Sequence, residues 1–144
     1  MSLFDMDDLI KIKLYYKIEE IEGRKRLIIL DDEKAEELLK DEEKAKGIEI
    51  VETEWKTLTW EGETIAMRSS IQAINPMSQT GGFDFYSYRD KITKKCLIKW
   101  NLTKKNEPVP VTPENINELP SIIVLNLYNK FDSISNYSSE QLKK

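Results

Sequence analysis

The chain has 144 residues, 40% of them hydrophobic and 33% charged, which suits one domain with a sizeable core and argues against general disorder. Its formal net charge of −4 gives no generic attraction to nucleic acid. Histidine is absent and cysteine occurs once, so triads and zinc sites that need imidazole are excluded, as is an internal disulfide.

The opening MSLFDMDD is acidic and lacks a long apolar run, so it does not read as a secretory signal, and no stretch is long enough to span a bilayer. A lone cysteine, Cys96, suits a reducing compartment. From Leu9 to Leu30 the pattern is that of a β-hairpin. Ile10, Ile12, Leu14, Tyr16 and Ile18 alternate with residues that include Lys11, Lys13 and Lys17, the period of a strand with one buried face. Glu22-Gly23-Arg24 is the turn, and Arg26 to Leu30 the return strand.

Asp31-Asp32 opens a helix expected to run to Gly47, with a narrow stripe of Ala35, Leu38, Leu39 and Ala45. Its many acids form a solvated face with pairs such as Glu36 and Lys40 rather than a metal cluster. Ile48 to Trp60 is a strand whose change of phase predicts a bulge near Thr53-Glu54. Glu61-Gly62-Glu63 then reads as a turn and Thr64 to Ile71 as a return strand, giving a second hairpin. Trp55 and Trp60 anchor it. Because tryptophan is enriched at interfaces, both are candidate protein-binding residues. Asn75 to Gly82 is a loop; its Gly-Gly pair lacks the lysine and the spacing that a phosphate loop requires.

Asp84 to Trp100 reads as a helix, with Phe85, Tyr88, Ile92, Cys96 and Trp100 on one apolar face. Its outer face is basic: Arg89, Lys91, Lys94, Lys95 and Lys99 are candidate protein-binding residues, and Lys104 and Lys105 continue the run. Seven basic residues and one acid lie between 89 and 105, against eleven acids and four lysines between 31 and 54. That contrast suits self-association or a charged partner. Pro108 and Pro110 impose an extended crossing. Thr112-Pro113-Glu114 starts a short helix that Pro120 interrupts, and Ser121 onwards forms a last helix with Ile122, Ile123, Leu125, Leu127, Tyr128 and Phe131 as a broad apolar face.

The residues thus predict one α+β domain over 1–144: two β-hairpins forming an antiparallel sheet, with one surface helix, in 1–71; a helical C-terminal half in 84–134; and a frayed tail in 135–144. No nucleophile or acid–base pair has an identifiable partner, so an enzyme is not expected, and neither a cofactor nor a metal is.

From Tyr88 to Phe131 the text IKWNLT, a polar turn, PVPVTPENINELP and a final apolar helix resembles tail assembly chaperones of tailed bacteriophages. The turn Lys104-Lys105-Asn106-Glu107 departs from that pattern by lacking a glycine. The resemblance covers under a third of the chain. It implies a non-catalytic protein of the host cytoplasm that contacts phage tail proteins: tail tube, tape measure or baseplate. A structural component of the tail or baseplate, carried in the virion, is the second reading. A small inhibitor or binding module directed at a host protein is the third.

Overall fold

The alternation seen in the first segment gives a long strand because its branched and aromatic residues fit a pleated surface. In the computed structural model, which describes residues 9–71 and 82–135, β1 spans Leu9–Ile21 and β2 spans Arg24–Leu30. Glu22 and Gly23 both take positive φ, 52° and 79°, the geometry of a two-residue hairpin turn. The sheet has four strands in the order β2-β1-β3-β4, where β3 is Ile48–Lys56 and β4 is Leu97–Trp100. All three pairings are antiparallel.

The lysine face of β1 is not uniformly wet. Tyr15 lies on it and is buried with Leu30 and Ala35, beneath the short helix α1 (Asp32–Leu38). α1 stops at Leu38, well before the expected end, and turns fill the interval to Gly47, whose φ is 84°. Asp31 makes no side-chain capping bond. Glu36 of α1 pairs with Lys13 of β1 at 3.3 Å, not with Lys40.

The opposite face carries the main core. Ile12 and Leu14 of β1 and Val51 and Trp55 of β3 meet Ile123, Leu127 and Phe131 of α5 (Ser121–Ser135). Ala66 of α2 (Trp60–Arg68), Ile92 and Cys96 of α3 (Phe85–Cys96), Leu97 of β4, and Ile116 of α4 (Pro113–Asn117) complete it. The α+β class therefore holds, with helices over an antiparallel sheet. The expected starts of α4 and α5 hold as well. Thr112 Oγ1 accepts the Asn115 N–H at 3.1 Å, and Pro113 sits in the first turn of α4.

Trp55 Nε1 donates to Thr53 Oγ1 at 2.8 Å, and that hydroxyl donates to the Ile12 carbonyl at 2.8 Å. The hydroxyl thus lets the indole lie fully buried without an orphaned N–H. Thr53→Val keeps the shape and removes both bonds. It is expected to cost about 1–3 kcal/mol in urea unfolding, the penalty for a buried donor left unpaired.

Three expectations need correction. The return strand at Thr64–Ile71 is instead helix α2. Thr59 Oγ1 caps it by accepting the Gly62 N–H at 3.1 Å, Glu61 and Glu63 favour its first turn, and Arg68 its last. The glycine read as a turn is thus the third residue of a capped helix. Second, α3 ends at Cys96, and Leu97–Trp100 crosses back as the edge strand β4. The four-residue step from Cys96 to Trp100 imitated one more helical turn. Third, β3 pairs regularly with β1, and the expected bulge lies on β4. Lys99 faces Glu54 and Leu97 faces Trp55, so Ile98 has no opposite residue. The extra residue turns both Leu97 and Trp100 towards the core.

The C-terminal half therefore contains strands. After β4, the Asn101 side chain acts as a further ladder position, accepting the Glu52 N–H at 2.9 Å and donating to the Ile50 carbonyl at 3.0 Å. A small ribbon follows, β5 (Thr103–Lys104) and β6 (Glu107–Pro108). Its turn residues Lys105 and Asn106 take φ 53° and 66°, so Asn106 fills a left-handed position where glycine would be favoured. The expected loop at 75–82 and tail at 135–144 fall almost wholly outside the described residues.

Candidate protein-binding surface

Each residue proposed as a contact can now be placed. Trp55 is 0% exposed and stacks on Phe131, with ring centroids 4.6 Å apart and 17° between planes. It is a core residue and leaves the candidate set. Trp60 begins α2 and is 84% exposed. Its neighbour Thr59 caps the helix, which holds the indole at an outer corner of the fold.

The basic residues do not form one helical stripe. Lys99 lies on β4, on the open sheet face, in a groove of about 570 Å³ that also contains Lys11, Lys13, Glu52, Glu54 and Asn101. There Lys11 and Lys13 on one side and Lys99 on the other flank Glu52 and Glu54, a pattern of alternating sign across the strands. Lys91 ties elements together: its ammonium donates to the Ser69 carbonyl at 2.6 Å and to Ser87 Oγ at 2.9 Å, joining α3 to the end of α2. Lys94 pairs with Asp90 one turn back at 3.0 Å. Lys95 is exposed.

Arg89 is the basic residue set among aromatic and apolar groups. Its guanidinium lies 5.2 Å from the centre of the Tyr86 ring. Both border a groove of about 280 Å³ between α3 and the α4–α5 segment, with Ile116, Leu119, Val124 and Leu125 among its lining. Tyr86 is 76% exposed there, and its chain neighbour Phe85 is 73% exposed. The helical stripe placed Phe85 inside. The first turn of α3 instead overhangs the core, and the Phe85 ring packs edge-on against Phe83 at 4.9 Å. Phe83 itself bridges to Ile71, which is exposed as well. The sequence did carry a signal for this overhang. Asp84 caps α3 by accepting the Ser87 N–H at 3.1 Å, so Phe85 and Tyr86 are the first residues of the helix, farthest from its buried end.

Cys96 is fully buried, and burial pushes its thiol up to about 11 against weaker opposing pulls from Lys56 and Lys95. Such a thiol is protonated at neutral pH and is a poor nucleophile. It still affects stability. Between pH 9 and 11 the unfolded chain has released a proton that the folded chain keeps, so stability falls as pH rises through that window, by roughly 2 kcal/mol from this group. Burial also raises Tyr16, Tyr88 and Tyr128, which deepens the loss. Urea unfolding of the wild type at pH 8 and pH 10.5 is expected to show the decline, and Cys96→Ala a shallower one.

Among the described residues no three acidic or cysteine side chains converge on a metal-sized site. No described helix is long and apolar enough to cross a membrane. The fold places the chain in the α+β class, a four-stranded antiparallel sheet with its main core against helices on one face. Within that class no family model, curated protein or solved structure matches it.

Proposed function

We propose that this chain is a non-enzymatic protein-binding domain, and that it serves bacteriophage tail morphogenesis as an assembly chaperone. The observation that carries the binding role is the exposure of Tyr86 at the groove beside Arg89, with Phe85 exposed next to it in the chain. Aromatic and arginine side chains next to an apolar depression are the usual anchors of a protein interface. The first α3 turn gives little of its aromatic area to the core, so folding alone does not account for these residues. The assignment to tail assembly rests on the resemblance of Tyr88–Phe131. In the fold that stretch runs from α3 through β4 and the β5–β6 ribbon to α5, and it contains the lining of the groove apart from Tyr86.

The arrangement of charge favours a protein over nucleic acid. Lys91 and Lys94 have partners within the chain, and Lys99 stands beside acids on the sheet. Among the described residues no continuous basic track is left for a phosphate backbone. Partners in this reading are the tail tube, tape-measure or baseplate proteins. The test is direct binding of the purified chain to each of these, with mass spectrometry of the finished particles. A chaperone binds a tail protein and is missing from the particle. Abundant copies in the particle would replace it with the structural role. Absence of binding to every tail protein would remove the tail assignment and leave a host-directed module.

A further inference from the structure

The long strand β1 is paired on its two sides over different lengths. β3 accompanies it from Leu9 to Lys17, whereas β2 accompanies it only from Tyr15 to Ile21, because the chain turns into α1 after Leu30. On the β2 side, Leu9 to Leu14 therefore has no neighbouring strand among the described residues. The Ile12 carbonyl takes the Thr53 hydroxyl on the β3 side, and the Lys13 carbonyl takes the Lys130 ammonium at 2.8 Å on the other. Main-chain groups alternate in direction along a strand, so Leu9, Lys11 and Lys13 aim theirs at the open edge. Beside that edge lies a groove of about 440 Å³, bounded by Asp32, Asn126, Asn129, Lys130, Ser133 and Ile134.

An open edge invites a further strand. A second copy of β1 is a poor candidate, since lysines would face lysines in the antiparallel pairing. Acidic residues suit the site better. Lys11 has no ion pair among the described residues, while Lys13 and Lys130 pair with Glu36 and Asp32. The chain itself carries a matching text: Phe4-Asp5-Met6-Asp7 alternates apolar and acidic residues, the complement of Lys11-Ile12-Lys13.

We infer that the free edge of β1 takes the N-terminal segment Phe4–Asp7 of a second copy as an added antiparallel strand. In this arrangement Asp7 faces Lys11, Met6 faces Ile12 and Asp5 faces Lys13. The same molecule cannot supply it in this register. Leu9 is already paired with Lys56, so a fold-back turn must fall before Leu9 and would include Asp7 itself. A segment from another molecule has no such limit, and reciprocal exchange closes a two-fold dimer. This contact is separate from the surface around Phe85, so it stands or falls independently of the tail assignment.

The experiment is sedimentation velocity of the full chain over a concentration series, with circular dichroism confirming the fold of each variant. The wild type is expected to self-associate, and deletion of residues 2–7 to give a folded monomer. Asp7→Lys and Lys11→Glu should each weaken the dimer at least about fivefold, and the two together should restore it to within about twofold, because opposite charges face each other again. A wild type that stays monomeric would overturn the inference, as would self-association that survives the deletion. Single reversals that weaken the dimer without rescue in the double variant would overturn it too.

Discussion

Trp55→Ala is expected to lower stability by about 3–5 kcal/mol, the largest effect of any single substitution proposed for this protein. The indole is fully buried at the centre of β3, stacks on Phe131 of α5 and donates its N–H to Thr53. Alanine removes the ring, leaves a cavity between sheet and helix, and frees a hydroxyl that had accepted a hydrogen bond. For a chain of this size the loss corresponds to a melting temperature lower by about 10 °C or more. Trp60→Ala supplies the internal control. That indole is 84% exposed, and its loss is expected to change stability by no more than about 0.5 kcal/mol. Differential scanning calorimetry of the two variants separates them. Equal effects would mean that the placement of the two rings is wrong.

The second large effect is on binding. Phe85→Ser with Tyr86→Ser is expected to weaken binding to the tail protein proposed as its partner about thirtyfold or more, the loss associated with removing anchor residues of an interface. Stability should fall by only about 1 kcal/mol. Phe85 loses one edge-on contact with Phe83, and Tyr86 loses its contact with Arg89. Titration calorimetry against the purified partner reads the affinity, and a thermal melt reads the fold. Lys95→Glu should act mainly on the association rate and lose its effect at high salt, because an exposed charge is screened. Affinity that survives the double substitution would place the contact elsewhere, with Trp60 the next residue to replace.

The local elements that were legible in the sequence are those in which a residue's neighbours along the chain satisfy its backbone. The first hairpin needed only alternation and a two-residue turn at Glu22-Gly23. α4 needed Thr112 as cap and Pro113 in its first turn. α5 needed an apolar stripe after Pro120. The same local logic was present at Thr59, whose hydroxyl caps α2, yet Gly62 three residues on was read as the centre of a hairpin. A glycine next to glutamates signals either a turn or a first helical turn, and the neighbouring alternation favoured the wrong one. The candidate site was legible in part. Arg89 and Trp60 were singled out and lie at the surface, while Phe85 was assigned inward from a periodicity that continues past the edge of the core.

What the sequence determined by itself is the α+β class, the first hairpin, the starts of the last two helices, and the exclusion of imidazole chemistry. These depend on periodicity, proline, caps and composition, all of which act over a few residues. Tertiary structure alone decided that Leu97–Trp100 is an edge strand, that Trp55 is core while Trp60 is surface, and that Lys91 ties α3 to the end of α2. Each of those outcomes depends on a partner distant in sequence. β4 needs the open side of β3, Trp55 needs Phe131, and Lys91 needs the Ser69 carbonyl at the end of α2. A stripe read along the chain gives the direction of a side chain relative to its own element, but not whether another element lies there to cover it. Burial and pairing are therefore settled only when the whole sheet and its helices are assembled.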